Sequence, residues 1–176
     1  MKQFFGMSQS GNLDEALRGL HTPQFIMLLS TNEQFEKHVA ELEKQFPGVP
    51  SIGCIGMGYH TTVVQRGVVV IAFYDGVCAT ANVLEEASTM PAKYIRRLEA
   101  DIKTVQAAEE NTVCIDFCSG NDACVLTTIN TVLRRRNVCL MGGTGDQGRV
   151  SANGRVYQDA VAYGLVRNLG GPGQGI

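Results

Sequence analysis

Residues 112–146, TVCIDFCSGNDACVLTTINTVLRRRNVCLMGGTGD, decide the fold class. Thr112 to Phe117 is an almost continuous apolar run, the mark of a strand buried on both faces. From about Asp122 to Arg135 the apolar residues Val125, Leu126, Ile129, Val132 and Leu133 recur at helical spacing. Val138 to Met141 is apolar again and reads as a second buried strand that meets a glycine-rich turn. Strand, helix and strand in sequence imply an α/β chain. Arg134, Arg135 and Arg136 close the helix, where cations complement the negative end of its dipole.

The same reading extends outward. Leu13 to Leu20 suggests a short helix capped by Asn12 and broken before Pro23, and Phe25 to Leu29 is a further buried strand. Phe35, Val39, Leu42 and Phe46 then mark a helix that Asn32 is placed to cap and Pro47-Gly48 to end. His38 falls between these positions and reads as surface, as does His21. Ser51 to Ile55 is a strand; Gln65 to Phe73 and Val77 to Leu84 read as a hairpin around Asp75-Gly76. Pro91 opens a helix whose inner stripe is Tyr94, Leu98, Ile102 and Val105. Two final strands, near Val150 and from Ala160 to Val166, flank a tight Asn153-Gly154 turn. After the short first helix the order is β-α-β-β-β-α-β-α-β-β-β. Three consecutive strands occur twice, so a mixed β-sheet with packed helices fits better than a doubly wound one. Residues 1–169 form a single domain on this reading, and the Gly/Pro-rich residues 170–176 are linker or frayed end. No internal repeat is visible.

With 176 residues and an apolar fraction of 44%, the chain has material for a sizeable core. A net charge of −2 and the lack of a Lys/Arg stripe argue against nucleic acid. No apolar run approaches the ~20 residues of a spanning helix, and the first residues lack a signal-peptide pattern, so a cytoplasmic protein is expected. Cys54, Cys78, Cys114, Cys118, Cys124 and Cys139 mostly lie inside apolar runs, as buried thiols of a reducing compartment do.

Two glycine clusters follow strands. One is Gly142-Gly143-Thr144-Gly145-Asp146-Gln147-Gly148, where backbone N–H groups are free to approach a ligand. A phosphate loop would need a helix directly after it, and Arg149 onward alternates like a strand. A tight sheet corner or the lining of a small-molecule pocket remain. The other cluster is Gly53-Cys54-Ile55-Gly56-Met57-Gly58-Tyr59-His60, read either as close packing or as the facing wall of the same crevice. Ser119-Gly120-Asn121-Asp122 leads into a helix that Asn121 or Asp122 would cap. The cysteines lack zinc-ligand spacing, and Cys54 with His60 is the one pairing that would suit a cysteine enzyme.

Three stretches resemble the N-terminal FIST domain. Pro23 to Ser30, followed by a helix and Phe46-Pro47, is similar to its opening strand; Val49-Pro50-Ser51-Ile52-Gly53-Cys54 to its second strand and Gly-Cys signature; Met141 to Asp146 to its Gly-Gly-x-x-Gly-Asp turn, one residue shorter here. The resemblance runs from about Gly6 to Leu169. Ile55 and Tyr59 stand where relatives carry small polar residues and an acid, a departure that implies either a more apolar ligand or none at that loop. It implies a sensory domain that binds a small ligand such as an amino acid and reports to a signalling output protein, compatibly with a homodimer. The ligand-binding residues expected are Gly53, Cys54, Gly56, Gly58, Gly142, Gly143, Thr144, Gly145 and Asp146. No catalytic constellation, metal or obligatory cofactor is expected, although some relatives are haem-binding gas sensors, for which His60 is the nearest ligand. The resemblance further implies a second, C-terminal half that this sequence lacks, as an isolated domain or short single-domain member would.

Overall fold

The computed structural model describes residues 1–59, 63–86, 89, 91–120 and 123–170. In chain order they form β1 (Lys2–Ser8), α1 (Leu13–Ala16), β2 (Phe25–Ser30), α2 (Phe35–Gln45), β3 (Ser51–Ile55), β4 (Gly58–Tyr59) and β5 (Val63–Val64). There follow β6 (Val68–Tyr74), β7 (Val77–Glu85), α3 (Ile95–Val105), β8 (Thr112–Cys118) and α4 (Ala123–Arg134). The chain ends in β9 (Cys139–Thr144), β10 (Val150–Ala152), β11 (Arg155–Tyr157) and β12 (Ala160–Asn168).

Side chains alternate along a strand, and here both faces of the central strands are apolar. In β2, Ile26 and Leu28 pack with Leu13, Phe35, Val39 and Leu42 of the first two helices. Phe25 and Met27 point the other way, into a cluster shared with Val113, Ile115, Ala162 and Val166 of β8 and β12. The opposite faces of those strands, through Cys114, Tyr163 and Leu165, meet Leu98 and Ile102 of α3 and Ile129 and Leu133 of α4. Three clusters thus separate four layers: α1 and α2, a six-stranded sheet β1-β6-β2-β3-β10-β11, a four-stranded sheet β7-β12-β8-β9, then α3 and α4. The α/β class and mixed pairing are as the sequence implied, with two mixed sheets in place of one.

The fold is an internal duplication that the sequence did not reveal. Each half runs strand, helix, strand, helix, strand, a short intervening segment, strand. The sheet orders β1-β6-β2-β3 and β7-β12-β8-β9 correspond strand by strand, and β2–β3 and β8–β9 are both parallel pairs joined by a helix. Equivalence extends to single hydrogen bonds. Gly56 donates its N–H to Ser30 O at 3.1 Å, and Gly145 donates to Cys118 O at 2.8 Å. Thr31 donates to Gly67 O at 3.1 Å and Ser119 to Ala160 O at 3.0 Å. In this register Leu28 matches Asp116, Gly53 matches Gly142, and Gly56 matches Gly145. The second half also lends its β10–β11 hairpin to the first, covering the outer edge of β3.

Several expectations change. Asp75 and Gly76 adopt the positive φ values, 61° and 90°, of a two-residue hairpin turn. Yet β6 pairs with β1 and β2 while β7 pairs with β12, so the turn passes the chain from one sheet to the other. β11 is an added strand, and the Asn153-Gly154 turn joins it to β10. Asn12 caps α1 by accepting from the Glu15 N–H at 3.1 Å. Asn32 does not cap α2: a 3-10 turn over Asn32–Gln34 intervenes, and the Asn32 side-chain oxygen Oδ1 accepts from the Arg149 guanidinium. His38 is buried, not on the surface, because it lies one turn beyond Phe35 on the inner stripe of α2.

Candidate functional site

The two glycine bends meet at one point. Gly53 and Cys54 lie inside β3, and Gly145 follows β9. A Cβ built on Gly145 would stand 2.8 Å from Cys54 Cβ and 3.2 Å from Arg149 O, so only glycine lets the backbones touch there. Gly53 is closed in a like manner, its notional Cβ 2.7 Å from Ser151 Oγ and 2.8 Å from Leu28 O. Gly56 follows β3, and Gly58 presses on the Val69 side chain. Asp146 is exposed at the head of a short 3-10 turn. The strand before this cluster is not buried: β9 is the exposed edge of its sheet and incorporates Gly142, Gly143 and Thr144 as strand residues.

Cys54 faces the core between the sheets, and its thiol is pushed up to about 12, first by burial and then by the Asp146 carboxylate. It is therefore a protonated, weakly nucleophilic thiol at neutral pH. Cys114 is raised in the same direction, chiefly by burial. His60, Asn121 and Asp122, as well as Cys124 as a side chain, lie outside the described residues. Among the described residues no group of three His, Cys, Asp or Glu side chains is arranged to hold a metal ion.

Chemistry collects one strand away. Asp116 is 3% exposed near the carboxyl end of β8, and its carboxylate accepts from the Cys118 thiol at 3.2 Å. Asp116, Leu126 of α4 and Leu140, Met141, Gly142 and Gly143 of β9 line a cleft of about 180 Å³. A Cβ on Gly142 would collide with the Asp116 main-chain and carboxylate oxygens, so the missing side chain makes room for the acid. In the first half the equivalent pair is Leu28 and Gly53, and Leu28 is 0% exposed in a wholly apolar setting. This position in the fold accepts an apolar residue, so architecture alone does not call for an acid at 116. A second crevice, about 530 Å³, opens at the carboxyl end of β2 between Gln9, Thr31, Asn32, Arg66 and Gln147.

Gly142 and Gly143 thus line a cleft with Asp116, Gly145 and Cys54 form the junction between the bends, and Gly58 points elsewhere. Asp116 escaped notice in the sequence, although a lone acid within the apolar run Thr112 to Phe117 was a visible signal.

These features define a duplicated, four-layer α/β domain with clefts at the carboxyl ends of its parallel strands. Residues 24–170 match the family model of the FIST N domain, and the chain belongs to that family, a class of sensory domains in signal transduction. A search of curated proteins found no match.

Proposed function

We propose that this chain is the input domain of an intracellular signalling system and that it binds a small molecule in the Asp116 cleft. The observation that carries the reading is the buried carboxylate at a position where the duplicate half holds leucine. The carboxylate gives the cleft an acidic wall that suits a small ligand with a protonated amine, such as an amino acid, with Leu126, Leu140 and Met141 receiving its apolar part. Ligands of α/β sheets collect outside the carboxyl ends of strands, where this cleft lies.

The junction of Gly145 with Cys54 offers the route outward, because a ligand that moves β9 bears on β3 of the other sheet. A signalling output domain or protein would read that shift. We read the domain as a binder and not an enzyme, since the Cys54 thiol is buried and protonated. A cytoplasmic location fits a chain in which no helix of the described residues is long and apolar enough to cross a membrane.

The test is calorimetric titration with a panel of amino acids, simple amines and carboxylates, on the native chain and on Asp116→Leu. Amine-bearing ligands should bind the native chain and bind the variant roughly 10- to 100-fold more weakly, the worth of a hydrogen bond to a charged group. Binding of amines that Asp116→Leu leaves unchanged, or no binding by any of them, overturns the reading.

A further inference from the structure

A sheet edge is a row of open N–H and C=O groups, and proteins blunt such edges with charge, proline, shortness or a covering element. The two large sheets have four edges here: β1, β11, β7 and β9. β1 carries Lys2, β7 ends in Glu85, and β11 is three residues long and begins with Arg155. β9, Cys-Leu-Met-Gly-Gly-Thr, is six residues long with no charge and no proline, and Met141 on it is 51% exposed. A groove of about 400 Å³ runs beside it, lined by Leu126, Thr127, Asn130, Val138, Cys139 and Leu140.

The duplication shows how this fold treats such an edge. β3, the equivalent of β9, is covered by β10 in antiparallel register, Val150 opposite Cys54 and Ala152 opposite Ile52. Among the described residues β9 pairs with β8 alone.

We infer that β9 is a dimerisation edge that pairs antiparallel with β9 of a second copy of this chain. A two-fold axis through Gly142 sets Met141 opposite Gly143 of the second copy and Leu140 opposite Thr144, so on each face a large side chain meets a small one. No like charges oppose each other anywhere in this register. The two four-stranded sheets then become one of eight strands, and the grooves beside α4 come together across the axis. A second copy is the occupant the edge suits best, because its own sequence is the complement the pairing requires.

Sedimentation velocity over a range of concentrations, combined with hydrogen exchange, tests this. The chain should dimerise, with amides of residues 139–144 gaining protection as the dimer forms. Met141→Lys, a charge at an exposed position, should raise the dimer dissociation constant at least about tenfold without altering the circular dichroism spectrum. Val63→Lys, similarly exposed but away from this edge, should leave it unchanged. A chain that stays monomeric at high micromolar concentration overturns the inference. So does a dimer indifferent to Met141→Lys, or one whose residues 139–144 exchange as fast as in the monomer.

Discussion

Gly142 stands opposite Asp116 in the β8–β9 ladder so closely that a methyl group on it would enter the space of the aspartate's oxygens. Its neighbour Gly143 has no heavy atom within 4 Å of a notional Cβ. Two alanine substitutions one residue apart should therefore differ sharply. Gly142→Ala must shift β9 or rotate the acid and should destabilise by about 1–3 kcal/mol, the usual cost of overpacking. Gly143→Ala should stay within about 0.5 kcal/mol of the native chain. Urea denaturation of both variants is the check, and equal effects would contradict the geometry.

Asp116→Leu installs in the second half the residue the first half already carries. Because leucine suits a helix-facing strand position, as the equivalent Leu28 shows, this variant should fold with a stability close to that of the native chain. Thermal unfolding without ligand decides it. A loss of several kcal/mol would mean that the acid holds the second half together and that the comparison with Leu28 misleads.

Cys54 and Cys139 differ in ways that alkylation can read. Cys139 is exposed on β9, whereas Cys54 is buried and its thiol is raised to about 12. Iodoacetamide at neutral pH should modify Cys139 well before Cys54, as peptide mass spectrometry would reveal. Faster modification of Cys54 would indicate an activated thiolate and reopen a cysteine-dependent chemistry.

Element positions were legible because an apolar run or a helical stripe depends only on neighbours in sequence. The inner stripe Tyr94, Leu98, Ile102 and Val105 is buried as its spacing implies. Pairing was less legible. Asp75-Gly76 has hairpin chemistry, but β6 and β7 each bury both faces and serve different sheets, which no local pattern reports. An apolar strand at an edge also reads like one in the interior, so the run Val138 to Met141 implies burial where the structure exposes β9. The duplication was hidden because equivalent positions hold unlike residues, Leu28 against Asp116, and its visible trace is two Gly-x-x-Gly spacings at 53–56 and 142–145. That the glycine clusters adjoin was inferable; that Asp116 lies beside one of them was not, since the pairing of β8 with β9 is not written in either strand alone.

His38 sets an acid limit on stability. Its ring is 1% exposed, with Nδ1 2.6 Å from Ser30 Oγ and Nε2 2.8 Å from the Gly11 carbonyl. A carbonyl only accepts, so Nε2 carries the hydrogen and Nδ1 accepts from the serine hydroxyl in the neutral ring. Burial lowers the pKa of His38 below 6.5, partly opposed by the bond to Gly11. The unfolded chain therefore binds the proton more readily than the folded one, and stability rises with pH between the folded value and 6.5. This contribution is complete above about 6.5, declines as pH falls toward the folded pKa with a slope of at most about 1.4 kcal/mol per unit, and is constant below it. His38→Gln, which keeps hydrogen-bonding capacity but does not titrate, should flatten that limb in urea denaturation curves recorded at several pH values. An unchanged pH profile in the variant would show that His38 takes up its proton without cost to the fold.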